Sequence, residues 1–432
     1  MFADLSSLRS LAASPGLTVH EVAIDDVDPI QVARAAHDWS EVIFFHTAHD
    51  GSATGLGTAW SLRLGADRFA SASRQLAELG LPAEARCFVG FSFDPDGSTA
   101  PEWSSFDPLR LVIPRAVVVR TDGGTRLILA LTDEEDPAAL VDRLEAMVAP
   151  DPAVAHSPSD LHVESHPSSS KYVANVAEAI ELIANGELQK VVLGRSLVIS
   201  SDEPPRPFDV LALLSGEHQG SYVYGWRREG AAFIGASPEL LVSLIDGHIR
   251  SVPFAGTAPR GRNGAEDTQL AARLLDSTKD LSEHGIMVDD IVSRLRPLTS
   301  GVVASDPSVE RFRHVQHLVT HIEGTPSNGV DVFGLAEALH PTPAVGGVPR
   351  AEAMQRIAKL EELDRGWYAG GIGWVSGTGD GEISVALRCA LLEGGVSRLY
   401  AGAGIVADSE PALELEETRW KFRALHRHLG ES

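Results

Sequence analysis

Short runs of apolar, β-branched and aromatic residues recur along the chain and predict many β-strands but few helices. In the first 150 residues the predicted strands are EVIFFHT, CFVGFSFD, LVIPRAVVVR and TRLILALT, and PAALVDRLEAMVA is a predicted helix. Later strands are predicted at GSYVYGW, AAFIGAS, ELLVSLIDGHIRSV, WYAGGIGWVS, EISVALRCALLEG and SRLYAGAGIVA, and helices at about 264–278, 281–296, 330–339, 349–362 and 411–429. Strands outnumber helices and do not strictly alternate with them. The pattern therefore favours a mixed α+β fold of layered sheets over a Rossmann or TIM arrangement.

The overall charge excludes two classes of partner. The 432 residues include 36 basic and 60 acidic side chains, giving a net charge of −24 with no basic patch, which disfavours nucleic acid and anionic membranes. No apolar run approaches the roughly 18 residues of a membrane helix, and the N-terminus lacks a signal-peptide pattern. We therefore expect a cytoplasmic protein, with Cys87 and Cys389 as reduced structural thiols.

A segment rich in Pro, Ser, His and Asp lies in the middle of the chain. It predicts a linker over 151–170 between a sheet-rich part at 1–150 and a larger part at 171–430. The larger part opens with a helical pattern that we expect Ser170 to cap.

The stretch LQKVVLGRSLVIS, which follows that helix, predicts a buried strand with an anomaly. Lys190 lies at the entrance of the strand, where burying an unpaired ammonium is costly. By periodicity alone, Lys190 is a lysine whose charged end reaches solvent from a strand end.

Two acidic pairs are candidates for a metal site. Asp280 and Glu283 are three residues apart, as are Glu414 and Glu417, so each pair lies on one face of its predicted helix. A solvated helix face explains either pair alone. Two converging pairs would form an all-oxygen site suited to Mg²⁺.

Several other residues have a structural as well as a functional interpretation. Arg388 interrupts an apolar strand and could form an ion pair or bind a carboxylate, and Gly402 and Gly404 allow close backbone approach. Glu239 in GASPELL is by itself a surface turn. His317 and His321 have a spacing that binds zinc on a helix, but the Glu of an HExxH site is missing. The glycine-rich pieces GLGTAW and GGIGW match no complete phosphate-binding fingerprint.

These motifs occur together and in order, and they resemble the chorismate-utilising enzymes. This family includes isochorismate, salicylate and anthranilate synthases and aminodeoxychorismate synthase component I. The resemblance covers about residues 171–425 and rests on LQKVVLGR, GASPELL, PFAGTAPRG, KDLSEH, VQHL, HPTPAVGGVP, WYAGGIGW, VALRCA and AGAGIVADSEPALELEET. It implies the layered antiparallel sheets with outer helices of anthranilate synthase component I, with residues 1–150 as the family's variable half.

Three positions indicate the branch of the family. Lys190 stands where the ammonia-using members typically have glutamine. Ala255 replaces the nucleophilic lysine of many aminodeoxychorismate synthases, and Ala344 stands where the members that eliminate pyruvate generally have threonine. The resemblance therefore implies isochorismate synthase, for either menaquinone or siderophore biosynthesis. Salicylate synthase, anthranilate synthase component I and a silent chorismate-binding subunit are the alternatives.

The resemblance also implies roles for the candidate residues. Lys190 would be the base on water and Glu239 the acid on the departing C4 hydroxyl; burial favours the neutral form of both. The remaining roles are His317 and Ala344 lining the substrate, Tyr368, Arg388, Gly402 and Gly404 binding the enolpyruvyl carboxylate, and Lys421 adding positive charge. Mg²⁺ would be held by Glu283 and Glu417, with Asp280, usually Glu in the family, and Glu414 acting through water. The family's common habit implies a monomer.

Overall fold

The computed structural model describes residues 1–2, 5–11, 16–47, 51–154, 156, 158, 160–218, 220–311 and 315–430, without the side chains of residues 7, 10, 257 and 279. Within these residues the chain up to Ser237 forms strands β1 Thr18–Ile24, β2 Glu41–His46, β3 Ser52–Leu56, β4 Trp60–Leu64, β5 Arg86–Phe91, β6 Leu109–Ile113, β7 Ala116–Thr121, β8 Gly124–Leu131, β9 Leu161–His166, β10 Lys190–Ser201, β11 Tyr222–Arg228 and β12 Ala231–Ser237. The chain after Ser237 forms strands β13 Leu240–Ile245, β14 His248–Val252, β15 Phe254–Pro259, β16 Thr299–Ala304, β17 Ser308–Arg311, β18 Val315–Val319, β19 Ile322–Pro326, β20 Gly347–Val348, β21 Gly371–Ser376, β22 Gly381–Val385, β23 Cys389–Glu393 and β24 Val396–Ile405.

The described helices are distributed along the whole chain. They are α1 Pro29–Ala35, α2 Arg68–Glu78, α3 Pro137–Glu145, α4 Ser169–Ala184, α5 Pro207–Glu217, α6 Gly264–Asp276, α7 Thr278–Leu295, α8 Val332–Leu339, α9 Arg350–Leu360 and α10 Pro411–Leu429. None of them is long and apolar enough to cross a membrane. The helices predicted from periodicity are all present, with ends shifted by a few residues. The cap of α4 was predicted wrongly: Ser168 is the N-cap, because its side chain accepts a hydrogen bond from the Lys171 N–H.

The strands form two large antiparallel sheets and one small one. The first has the order β1-β8-β7-β3-β2-β11-β12-β23-β24-β10-β20, with β9 also on β10. The second has the order β16-β19-β14-β13-β22-β21-β5-β6-β4, and β15-β18-β17 form the third. The predicted α+β fold of layered antiparallel sheets with outer helices is confirmed.

Residues 1–150 contribute to both large sheets and pair there with strands from the later part of the chain. β2 pairs with β11, and β5 pairs with β21. The predicted linker needs one correction, because residues 161–166 form strand β9, whose backbone pairs with β10. A single exposed edge strand with alternating polarity is a weak sequence signal, so the composition of this segment is also typical of a linker. Residues 155, 157 and 159 of that linker lie outside the described residues.

Alternate residues of the first sheet face two different cores. On β2, Ile43 and Phe45 belong to the core between the two large sheets, whereas Val42 and Phe44 face the outer helices α1 and α5. This is the period-two alternation of a strand buried on both sides. Cys87 and Cys389 are both free and buried in the core between the sheets, as the sequence suggested.

Candidate active site

Lys190 is the first residue of β10 and lies inside the protein. It pairs with Val348 of β20, and only 2% of its surface is exposed. Its Nζ donates a hydrogen bond to Oε1 of Glu283 on α7 at 2.7 Å, and the Met287 sulfur lies 3.6 Å away. The ammonium is therefore compensated by a carboxylate, and the interpretation of Lys190 as a solvent-reaching lysine is wrong.

Glu239 lies where the chain passes from one large sheet to the other, between β12 and β13. Its backbone is fixed from both sides: the N–H donates to the Ser237 hydroxyl at 3.2 Å, and the carbonyl accepts from Val385 N–H at 3.0 Å. The residue is 5% exposed, so it is not the surface turn that its local sequence suggests. Burial raises the pKa of Glu239 to about 7, against the opposing charges of Lys190, Arg388 and Lys421.

Arg388 occupies another crossing between the large sheets, from β22 to β23. Burial lowers the pKa of Arg388, against the opposing influence of Tyr368 and Glu417. Its guanidinium makes no hydrogen bond or ion pair with any residue that the structure describes, so its donors are available to a ligand. An arginine with free donors in a half-buried position suits a planar carboxylate.

His317 lies on β18, and its ring approaches the same charges. The Nδ1–H donates to the Gly256 carbonyl at 3.2 Å, since a carbonyl can only accept. Burial lowers the pKa of His317 to about 4, and Arg388 and Lys421 act in the same direction, so the imidazole is neutral at pH 7. His317 lies on β18 and His321 lies between β18 and β19, so neither is on a helix, which removes the basis for a helical zinc pair.

The glycines of β24 make room for the side chains around them. A Cβ on Gly402 would lie 2.7 Å from the Tyr368 hydroxyl, and one on Gly404 would lie 3.1 Å from Cε of Lys190. The Lys421 ammonium donates to the Gly402 carbonyl at 2.7 Å. Tyr400 is the last residue of β24 paired with β23, so the strand edge beyond it is not covered by β23.

The acidic pairs lie on α7 and α10 and approach the same part of β24. Besides the Lys190–Glu283 pair, Glu417 on α10 pairs with Lys421 at 2.7 Å. The Lys421 ammonium lowers the pKa of Glu417 against the opposing effect of its burial. Asp280 follows the N-cap Ser277 of α7, and Glu414 is buried on α10.

This donor set fits a magnesium site with few direct protein ligands. Within the described residues, no three His, Cys, Asp or Glu side chains lie close enough together to enclose a metal. Mg²⁺ rarely needs such a cage, because it usually takes one or two carboxylates and completes its shell with water and substrate oxygens. Glu283 and Glu417 meet that requirement, and each would then leave its lysine.

Ala344 lies in a loop that leads to the strand beside Lys190. The loop turns through a Val345 N–H to Thr342 carbonyl hydrogen bond of 3.1 Å and continues into β20. Ala344 itself is half-buried. A residue at this position can therefore influence the space near the entrance of β10.

A buried ion pair that sequence reasoning missed holds these parts together. Arg365 donates to Glu361 at 2.8 Å, to the Val192 carbonyl at 2.9 Å and to the Val345 carbonyl at 2.7 Å, and Glu361 accepts from the Gly194 N–H. The pair thereby ties β10 to the Ala344 loop and to the segment before Tyr368. The i, i+4 spacing of opposite charges was the available signal, but it is equally typical of a solvated helix.

The chain belongs to a known enzyme family. The signature of the chorismate binding enzymes matches residues 5–430, so the chain is a member of that family. The "Salicylate biosynthesis isochorismate synthase" of Pseudomonas aeruginosa is 34% identical over 96% of this chain and 90% of that protein.

Two solved structures share the fold of this chain. The menaquinone-specific isochorismate synthase MenF of Escherichia coli superposes with a TM-score of 0.85, at 29% identity, over 96% of this chain and 95% of that one. Anthranilate synthase component I of Streptococcus pneumoniae shares the fold, with a TM-score of 0.75 at 24% identity over 87% of this chain and 92% of that one.

Proposed function

We propose that this chain is an isochorismate synthase, which adds water at C2 of chorismate and expels the C4 hydroxyl as the ring double bonds shift. The observation that carries the proposal is the presence of one buried basic group, Lys190, and one buried acidic group, Glu239. One is a buried amine in the place where ammonia-using relatives have glutamine. The other is a buried carboxyl whose pKa of about 7 keeps much of it protonated at neutral pH.

The proposed proton transfers follow from these environments. Lys190 takes a proton from the attacking water as a neutral amine, so its ammonium must first leave Glu283 and give up one proton to solvent, because an ammonium has no lone pair with which to accept one. Glu239 gives a proton to the departing hydroxyl, and it makes no hydrogen bond or ion pair with the described residues that would hold it ionised. The neutral His317 lines the same side.

Two carboxylates of the substrate need compensation in a protein of net charge −24. Arg388 and Tyr368 would bind the enolpyruvyl carboxylate together with the free edge of β24 at Gly402 and Gly404, and Lys421 adds a nearby positive charge. We further propose that Glu283 and Glu417 hold Mg²⁺, with Asp280 and Glu414 in support. A bound Mg²⁺ supplies positive charge for the ring carboxylate.

The half-buried Ala344 favours release of isochorismate over elimination of pyruvate, because the family members that eliminate pyruvate generally have threonine at this position. The names of the relatives point to two uses of isochorismate, salicylate formation and menaquinone formation. The proposal concerns the formation of isochorismate, which is the same reaction in each of these pathways.

The test is incubation of the purified protein with chorismate and Mg²⁺, with and without ammonium, followed by chromatographic separation of the products. Isochorismate alone is the expected result. Salicylate with pyruvate would indicate salicylate synthase, anthranilate would indicate the ammonia-using branch, and binding without turnover would indicate a silent subunit. Each of these three outcomes overturns the proposal.

A further inference from the structure

Two residues with a Cβ adopt a left-handed backbone at the edge of the candidate site. Arg388 has a φ of +49° and Ala369, which follows Tyr368, has a φ of +62°. The two segments are hydrogen-bonded to each other: Ala369 N–H donates to the Ala386 carbonyl, and Ala386 N–H donates to the Gly370 carbonyl, each at 2.9 Å. This conformation is unfavourable for residues other than glycine and persists only where the surroundings hold it.

A buried side chain from another element holds each of these segments. The Tyr224 hydroxyl on β11 donates to the Leu387 carbonyl at 2.9 Å, one residue before Arg388. The His340 imidazole donates from Nε2 to the Ala369 carbonyl, also at 2.9 Å. Tyr224 is completely buried, and burial lowers the pKa of His340 to about 3, which keeps that ring neutral.

The neighbouring strand is shaped to admit the Tyr224 ring. Gly235 of β12 lies directly opposite Tyr224 in the antiparallel register. A Cβ on Gly235 would lie only 2.4 Å from the Tyr224 hydroxyl. The missing side chain therefore permits the position from which the hydroxyl reaches Leu387.

The guanidinium of Arg388 depends on this backbone for its position. It makes no hydrogen bond or ion pair with the described residues, so no side-chain contact of that kind fixes it. The left-handed φ sets the direction in which the Arg388 side chain leaves the backbone, and therefore the region that its guanidinium can reach. Tyr368 is held in part by its ring, which is stacked on Tyr400, and in part by its backbone, which leads into the left-handed Ala369.

We propose that Tyr224 is a positioning residue for substrate binding, which acts through the Leu387 carbonyl to hold Arg388 in its left-handed conformation. His340 acts in the same way on Tyr368 through the Ala369 carbonyl. Neither side chain touches the substrate. The inference rests on the proposed function, because it takes Arg388 and Tyr368 as ligands of a substrate carboxylate.

The test compares two tyrosines on the same strand. Tyr224→Phe removes the hydroxyl that reaches Leu387, whereas the control Tyr222→Phe removes a buried hydroxyl that donates to Glu382 at 3.0 Å. Calorimetry measures the Kd for chorismate, steady-state assays measure KM and kcat, and melting curves measure stability. We expect Tyr224→Phe to raise Kd and KM about three- to tenfold, the range of one hydrogen bond, with a smaller change in kcat. Tyr222→Phe should leave Kd unchanged even where it lowers the melting temperature.

A double-mutant cycle decides whether the effect passes through Arg388. In an Arg388→Ala background, Tyr224→Phe should have no further effect on Kd. The same factor in both backgrounds would overturn the inference, as would an equal rise in Kd from Tyr222→Phe. Should Tyr224→Phe fail to fold, His340→Gln provides the parallel cycle, and its effect on Kd should disappear in Tyr368→Phe. Failure of the unmodified protein to bind chorismate would instead count against the proposed function.

Discussion

Replacing Glu239 by glutamine should have two separate effects: it should remove the free-energy cost of burying an ionised carboxylate, and it should remove the proton donor of the proposed reaction. Burial raises the pKa of Glu239 from its ordinary 4.5 to about 7. The folded protein therefore binds more protons than the unfolded chain between these two pH values, and stability falls as pH rises through that window. At about 1.4 kcal/mol per pH unit, ionised Glu239 costs the folded state about 3 kcal/mol above pH 7.

Glutamine has nearly the same shape and cannot ionise. We expect the stability of Glu239→Gln relative to the unmodified protein to increase from pH 5 to about pH 8 and then to level off, about 2 to 3 kcal/mol above its value at pH 5, because part of the cost is already present at pH 5. Urea unfolding followed by tryptophan fluorescence, in EDTA at half-unit pH intervals, measures this difference. The same variant should lack turnover at every pH, because it has no proton to give.

The control is Glu393→Gln, which changes an exposed carboxyl at the end of β23. Its stability relative to the unmodified protein should not vary over the same pH range. A flat difference for Glu239→Gln as well would refute the reasoning, since it would show that Glu239 is ionised in the folded state without cost. Retention of most of kcat would refute its assignment as the acid.

Three further predictions concern the other candidate residues. Lys190→Gln should lower kcat at least about 100-fold, the contribution typical of a general base, whereas Lys171→Gln on α4, a half-exposed lysine, should not; steady-state assays decide between them. Glu417→Gln should raise the Mg²⁺ concentration needed for half-maximal activity, and an unchanged Mg²⁺ titration would contradict its role as a ligand. Ala344→Thr should increase pyruvate release from chorismate, measured with lactate dehydrogenase, and no change in pyruvate would remove Ala344 as a determinant of the branch.

Sequence patterns predicted the elements well where the periodicity was local. The helices carrying Glu283 and Glu417 and the strand beginning at Lys190 are all present. Sequence could not show that Glu239 is buried, because its burial results from the passage of the chain between two sheets whose strands are distant in sequence. The left-handed backbone at Arg388 was equally hidden, since it depends on Tyr224 from a separate strand.

The predicted linker also shows that sequence patterns alone are insufficient, because part of it is a strand. Strand β9 has little apolar character of its own, and its backbone pairing with β10 makes it a strand. Tertiary context overrides weak local preference in such segments.

Both large sheets combine strands from the early and late parts of the chain, which affects folding during synthesis on the ribosome. Strand β5 is synthesised early, but Phe91 can pair only after Gly371 of β21 has been synthesised. In the same way, β2 can pair with β11 only after β11 has been made. Neither sheet can close until most of the chain has been made, and its apolar edges stay unpaired meanwhile. Contacts between such distant segments slow folding and leave strand edges open to aggregation. Nascent chains of this protein should therefore depend on chaperones until β21 has left the exit tunnel.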